Sequence, residues 1–328
     1  METVRISGTD LEVSRIGLGT WAIGGAAWGG TDEQESIRTI HEAIDHGVTL
    51  LDTAPAYGQG RSEEIIGRAL AEHPRGRDIV VATKVGLDWT TGGLKRNSRP
   101  ERLRKELEDS LRRLRRDRID VYQVHWPDPS VPFDETARVL DDFRRQGKLR
   151  AIGVSNFSPE QMDAFRKGGP LHTAQPPYNL FERDSEIDVL PYCRQHGITT
   201  FTYGAICRGL LSGRMSLETT FAKGEIRRID PKFQPPRFAQ YLAAVAGLDE
   251  FAQERLGRRV IHLALRWVLD QPGVGVALWG ARHPGQLEPL KGALGWHLDE
   301  VELRHIDQII LEHVKDPVGA EFMAPPMQ

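Results

Sequence analysis

Cysteine is nearly missing from this chain. Cys193 and Cys207 are the only two in 328 residues, too few for a disulfide framework or a four-thiolate zinc site, and they fit a reducing compartment. No stretch approaches the ~20 consecutive apolar residues that a membrane-spanning helix needs. The opening METVRISGTDLEV has neither the basic start nor the apolar core of a secretory signal, so the expected location is cytoplasmic. An excess of charge of one sign is also lacking. The 43 Lys and Arg against 46 Asp and Glu leave a formal net charge of −3, whereas binding a phosphate backbone needs a concentrated basic surface. The Arg-rich span Arg99 to Arg118 is interleaved with Glu101, Glu106, Glu108 and Asp109 and carries a leucine stripe, which reads as a solvated helix face. The expected partner is a small molecule, with neither nucleic acid nor membrane. There is no G-x-S-x-G of a serine hydrolase and no H-E-x-x-H. His172, His196, His262, His283 and His297 share no spacing that implies a metal, and none is expected. Cys207 is read as a structural thiol.

What is present is an ordinary globular composition, 39% hydrophobic and 27% charged with 33 Gly and 20 Pro, with ample apolar surface for a core. From residue 13 onward, short β-branched runs alternate with stretches of 3.6-residue periodicity, the pattern of βα units around a parallel sheet. The strand candidates are Val13–Leu18, Val48–Leu51, Ile79–Ala82, Ile119–Val124, Leu149–Val154, His172–Gln175, Ile198–Tyr203 and Val274–Leu278. Helices are expected at Asp32–His46, Ser62–Glu72 and Pro100–Arg116, the last with Leu103, Leu107, Leu111 and Leu114 on one face and Pro100 in its first turn. Eight such strands exceed the five or six of a doubly wound sheet and fit an α/β fold of the (β/α)₈ TIM-barrel type, with residues 1–328 as a single domain. Residues 2–13 read as two short strands around Gly8-Thr9-Asp10, a hairpin closing the N-terminal end of the barrel. The Gly- and Pro-rich stretch from Cys207 to Gln240 after strand seven is far longer than a usual βα connection, and long loops of this kind are usually functional or disordered.

In a parallel barrel the C-terminal strand ends share one rim, so chemistry should appear as polar residues just past each apolar run. Strand two ends in LDTAPAYG, strand three in ATK, strand four in QVHWP, strand five in GVSNF, strand six in QPPYN and strand seven in YG. Singly these are weak, since an Asp there often only caps the next helix and a lone His is more often structural. Together Asp52, Tyr57, Lys84 and His125 have one coherent use, a proton-transfer site around a tyrosine. A nearby ammonium, Lys84, is expected to lower the phenol pKa of Tyr57. Asp52 would compensate the Lys84 charge, and His125 would orient a substrate oxygen.

These segments resemble the aldo-keto reductases. GLGTW at Gly17 to Trp21, LDTAPAYG, ATK, QVHWPDP and IGVSNF occur in that family's order, and RSEEIIGRAL, LHTAQPPYNLFER, YGAICRGLLSGRM, LWGARHPGQLE and DPVGAEFMAPP make the chain most similar to the family's bacterial general-stress type. The resemblance implies NADP(H) extended across the barrel mouth, bound without a Rossmann domain. Gly19, Thr20, Trp21 and Asp52 would flank it. Ser155, Asn156 and Gln175 would hold the nicotinamide carboxamide, and Tyr203 would stack under the ring. Gly204, Ala205, Ile206, Arg208, Leu210, Gly213 and Arg214 would fold over the pyrophosphate. Gly280, Arg282 and Gln286 would hold the 2′-phosphate, where a guanidinium can form bidentate bonds that an NAD ribose cannot accept. Leu290 departs from the Asn that many members carry near the adenine.

The implied reaction is reversible reduction of an aldehyde or ketone, with Tyr57 as general acid supported by Lys84 and Asp52, and His125 orienting the carbonyl. The substrate pocket is expected around Trp21, Tyr57, Trp89, His125 and Trp126, with Trp89 equally able to pack under a loop. The tail Asp316 to Gln328 is a further candidate for the rim. A monomer or weak homo-oligomer is expected. Gly17-Leu18-Gly19-Thr20-Trp21-Ala22 fits G-x-G-x-x-A, but AIGGAAWGG is a poor helix, so a dinucleotide fold is set aside. The alternative function is an NADP(H)-binding, redox-sensing regulatory subunit with little turnover. It would call for a docking segment, and only about a dozen residues precede the first barrel strand.

Overall fold

The computed structural model describes residues 1–90 and 93–326. The chain opens with an antiparallel hairpin, β1 (Thr3–Arg5) and β2 (Glu12–Ser14). The strands β3 (Ile16–Gly19), β4 (Leu50–Asp52) and β5 (Val80–Val85) begin the barrel, and a second hairpin of β6 (Leu87–Asp88) and β7 (Lys95–Arg96) follows. The barrel continues with β8 (Ile119–Val124), β9 (Leu149–Ser155), β10 (Thr173–Gln175), β11 (Thr199–Thr202) and β12 (Val276–Gly280). These eight parallel strands close on themselves through the β12–β3 pairing, with Leu278 opposite Gly17 and Gly280 opposite Gly19. Around them lie α1 (Glu33–Asp45), α2 (Arg61–Glu72), α3 (Pro100–Leu114), α4 (Phe133–Arg145), α5 (Pro159–Arg166), α6 (Val189–His196), α7 (Arg237–Leu256), α8 (Val260–Asp270) and α9 (Glu300–His313).

The local chemistry accounts for these elements. The Asp32 side chain caps α1 by accepting from the Glu35 N–H at 2.9 Å, and Ser158 with Gln161 forms a full capping box on α5. In α3, Pro100 starts the helix and all four leucines of the expected stripe are buried. Apolar strand residues divide between two cores. Leu50, Val80, Ala82, Val121, Phe201 and Val276 fill the barrel interior, where Ile6, Leu11 and Val13 of the hairpin join them as a plug. The opposite strand faces pack on the helices.

Several boundaries differ from the sequence expectation, among them the third strand, expected at Ile79–Ala82 and found at Val80–Val85. The run Val13–Leu18 is two strands, because the chain turns at Arg15, whose guanidinium bonds the carbonyls of Leu269, Val274 and Gly275. Strand two starts two residues later and ends one later, at Leu50–Asp52, and strand eight lies two residues further along, at Val276–Gly280, where the barrel partners are. The long connection after β11 runs through short 3₁₀ turns only as far as Pro236, and α7 and α8 then precede β12.

α2 rests on the end of α3 at Gly67, where a Cβ would lie 2.3 Å from the Arg113 carbonyl oxygen. Gly67→Ala is expected to destabilise the chain by about 1–3 kcal/mol through this clash, read as a lowered Tm in thermal unfolding.

Candidate active site

The rim of the barrel brings the four expected polar residues together. Asp52 is the last residue of β4, Tyr57 lies in the turn after it, Lys84 is on β5, and His125 follows β8. The Lys84 ammonium spends its three hydrogens on Asp52 Oδ1 at 2.7 Å, the Thr53 carbonyl at 3.0 Å and Tyr57 Oη at 3.2 Å. The Lys84 and Asp52 side chains are 1% and 4% exposed, so this is a buried pair whose charges are nearly all hydrogen-bonded, the condition under which burial is tolerable. Asp52 Oδ2 accepts from Gln175 Nε2 at 2.8 Å, with Gln123 Nε2 at 3.5 Å. Thr20 donates its hydroxyl and its N–H to the Asp52 carbonyl, at 2.8 and 3.0 Å, tying the loop after β3 to the end of β4. That loop meets the Tyr57 turn backbone to backbone: a Cβ on Gly58, at φ +66°, would lie 2.2 Å from the Gly24 carbonyl oxygen. The Tyr57 ring stands edge-on to His125, centroids 5.7 Å apart, and stacks beside Trp21 at 6.0 Å.

The electrostatics correct one expectation. Burial raises the Tyr57 phenol above its ordinary 10.0 and outweighs the opposing effect of the Lys84 ammonium, with Asp52 adding to the rise. The phenol is therefore protonated at neutral pH, and the Lys84 ammonium lessens the rise without reversing it. Burial works against the Lys84 charge, but Asp52 and Tyr57 more than offset it and raise its pKa. Burial, and then Lys84, hold His125 well below 6.5, leaving a neutral imidazole.

These residues floor an open cleft of about 310 Å³. Of the residues expected near a nucleotide, Gly19, Thr20, Trp21, Asp52, Ser155, Asn156, Gln175 and Tyr203 line it. So do Gly204, Ala205, Ile206, Arg208, Gly280, Arg282 and Gln286. Asn156, at φ +63°, accepts from the Tyr203 hydroxyl at 2.9 Å and donates to the His125 carbonyl at 3.0 Å, which links both cleft residues through one amide. Three residues expected at the same loop lie elsewhere. Leu210 is buried in the core, Gly213 packs toward Val260, and Arg214 is exposed away from the cleft lining. The 3₁₀ turn at Cys207–Ser212 buries Leu210 and ends at Gly213, and Arg214 follows it.

Arg208 reaches the cleft edge, but its guanidinium is held by Glu182 and by Asp230 Oδ2 at 2.6 Å. Trp89 is not in the cleft wall: the Arg102 guanidinium packs 5.3 Å over its ring, so it lies on the α3 side. Trp21 and Trp126 do line the cleft. Of the tail, Met323 and Pro325 reach the wall, while Met327 and Gln328 lie outside the described residues. Leu290 is buried in the core.

Sequence reading missed Trp28, Arg227, Leu87 and Leu94 in the wall. Trp28, a large aromatic between alanines and glycines, was a signal. Nothing in the sequence separates Arg227 from Arg228, and only packing does: the Arg227 guanidinium lies 5.4 Å over the Trp28 ring and 4.6 Å over Phe221. Leu87 and Leu94 enter with the β6–β7 hairpin, whose two-residue strands have no visible periodicity.

A closed parallel barrel with a buried Asp-Lys pair beside a rim tyrosine defines a class of carbonyl-processing oxidoreductases, and the comparisons agree. Residues 15–311 match the Aldo/keto reductase family, and the chain belongs to it. It is 57% identical over 326 residues to the Aldo-keto reductase YhdN of Bacillus subtilis (strain 168), across 99% of this chain and 98% of that protein. It is 35% identical to the NADH-specific methylglyoxal reductase of Escherichia coli (strain K12), across 92% of this chain and 96% of that one. The glycerol dehydrogenase AKR11B4 from Gluconobacter oxydans has the same fold, with a TM-score of 0.89 at 54% identity, covering 98% of this chain and 99% of that chain. The protein is thus an oxidoreductase of carbonyl groups. Among the described residues no helix is long and apolar enough to cross a membrane, and no cluster of three His, Cys, Asp or Glu side chains is placed to hold a metal.

Glu182 carries the pH dependence beside the cleft. Burial opposes its charge, but Arg208 and Lys232 outweigh it and bring the carboxyl down to about 2 from 4.5. A depressed carboxylate stabilises the fold above pH 4.5, and the contribution is lost as pH falls toward 2. Urea unfolding across this window is expected to show a loss of about 3 kcal/mol from this group. Glu182→Gln should be less stable at neutral pH and show a shallower acid slope.

Proposed function

We propose that the chain catalyses NADP(H)-linked interconversion of small aldehydes or ketones and their alcohols, with Tyr57 as the proton donor in the reductive direction. The observation that carries this reading is Tyr57 Oη at 3.2 Å from an ammonium that Asp52 holds at 2.7 Å, at the floor of an open cleft. The dinucleotide, when bound, supplies the hydride.

The residues present fit such a group. The buried Trp28 indole N–H and Arg227 Nε have no hydrogen-bond partner, and both side chains line the cleft. At the same end Arg282 holds the Trp28 carbonyl through Nη1, and its N–H bonds Gln286 Oε1 at 2.8 Å. Arg282, Gln286 and Gly280 would hold the 2′-phosphate, the basis for preferring NADP(H) over NADH. The NADH specificity in the name of the Escherichia coli relative makes NADH the necessary comparison. At the other end Ser155, Asn156, Gln175 and Tyr203 would orient the nicotinamide. Arg208 has little left to offer a phosphate, since two carboxylates neutralise it.

In reduction the Tyr57 hydroxyl protonates the carbonyl oxygen as the hydride arrives at carbon. Lys84 stabilises the phenolate left behind, and Asp52 keeps Lys84 in place. His125, neutral, orients the substrate oxygen with a ring N–H. Beyond the reacting carbon the wall is Trp21, Trp126, Leu87, Leu94, Met323 and Pro325, which suits an uncharged substituent. The names of the relatives, a methylglyoxal reductase and a glycerol dehydrogenase, support small oxygenated carbonyls and alcohols.

A panel of small aldehydes with NADPH and NADH, followed at the nicotinamide absorbance, tests the reading. Tyr57→Phe should lose about 10²–10⁴-fold in kcat with coenzyme affinity retained. Full turnover by that variant would refute the mechanism, and tight coenzyme binding without turnover by the wild type would favour a regulatory role. With Tyr57 protonated and His125 neutral, kcat/KM for reduction is expected to be flat from about pH 6 to about pH 8, with no inflection from His125.

A further inference from the structure

Away from the proton-transfer residues the fold buries a second set of charges. Arg208 and Lys232 face Glu182 and Asp230, with side chains 4%, 0%, 2% and 0% exposed. Their formal charges cancel. A buried ion cluster adds little net stability over apolar packing and is best attested as a device that specifies one arrangement of the chain. The arrangement specified here joins three segments: Glu182 from the connection after β10, the other three from the connection after β11, and the C-terminal tail. Lys232 Nζ lies 2.9 Å from Glu182 Oε1 and sends a 2.6 Å bond out of the cluster, to the Gly319 carbonyl of the tail. The Phe322 ring then packs against both cations, 5.4 Å from the Arg208 guanidinium and 5.9 Å from the Lys232 ammonium. Further along, Arg96 Nε bonds the Pro325 carbonyl at 3.2 Å while the same guanidinium lies 5.4 Å over Trp126. Between these anchors Met323 and Pro325 form part of the cleft wall.

We infer that Lys232 is a positioning residue for substrate selection: by pinning the tail at Gly319 it sets the apolar wall that Met323 and Pro325 present to the substituent of an uncharged carbonyl compound. The inference rests on the carbonyl binding in this cleft as proposed above. Lys232 touches neither the reacting atoms nor the proposed coenzyme positions. Its effect falls on the fit of larger substituents, not on proton transfer.

The test uses Lys232→Met and, separately, deletion of Glu321–Gln328. Each is expected to raise KM for an aromatic aldehyde such as benzaldehyde by about fivefold or more, with a smaller change for propionaldehyde, and in Lys232→Met kcat and coenzyme Kd are expected to stay within about twofold. Amide exchange at residues 319–326 is expected to accelerate in Lys232→Met, a readout independent of turnover. Unchanged exchange in that variant, or unchanged KM for benzaldehyde in either variant, overturns the inference. So does a uniform loss in every kinetic parameter together with Tm, which marks a structural role only. If Lys232→Met does not fold, the deletion and Phe322→Ala decide by the same KM comparison. Absence of carbonyl turnover in the wild type would instead remove the proposed function, while the exchange measurement still reports on the anchor.

Discussion

The Lys84–Asp52 contact is the constraint on which the site depends. An ammonium and a carboxylate at 2.7 Å, both almost wholly buried, are costly to take from water unless every donor and most acceptors are met. That requirement reaches far. It needs β4 and β5 paired with Asp52 opposite Ala82, so that the two side chains arrive on the barrel interior at one level. It needs the Thr53 carbonyl turned toward Lys84 and the Gln175 amide brought from β10 to the second carboxylate oxygen. Glycines at 24 and 58 allow the two rim loops to touch and leave Tyr57 over the ammonium. With these in place, a protonated phenol lies 3.2 Å from the buried ammonium.

The molecule keeps its charges in separate compartments. The Asp52, Tyr57, Lys84 and His125 group sits at one end of the cleft, half-buried guanidiniums of Arg227 and Arg282 at another part of its wall, and a self-neutralised cluster around Arg208 and Lys232 behind it. This separation changes the reading of Arg208. By residue type and position it is a natural phosphate ligand, but Glu182 and Asp230 occupy its fork. With both carboxylates on it, the guanidinium holds together the connections after β10 and β11.

Much of the architecture could be read before any coordinates. The β-branched runs mark all eight barrel strands, because strands buried on both faces are rich in such residues. Asp32 and Pro100 mark helix starts, since capping and first-turn chemistry are local. Asp52, Tyr57, Lys84 and His125 stand out because polar residues at consecutive strand ends violate that apolar pattern. Strand edges were less legible. Arg15 splits one run in two through bonds to carbonyls some 254 to 260 positions away, which no local pattern carries. The same holds for Leu210, Gly213 and Arg214, which lie off the cleft lining, and for Trp89, which Arg102 covers.

Residue order therefore settled which barrel strands exist, which way they alternate with helices, and which four side chains could share a rim, since periodicity and strand-end position are short-range properties. Burial, the direction of the Tyr57 shift, the engagement of Arg208 and the placement of the tail across the cleft belong to the folded barrel alone. Each depends on partners distant in the chain, and only closure of the sheet sets their distances and removes the water between them.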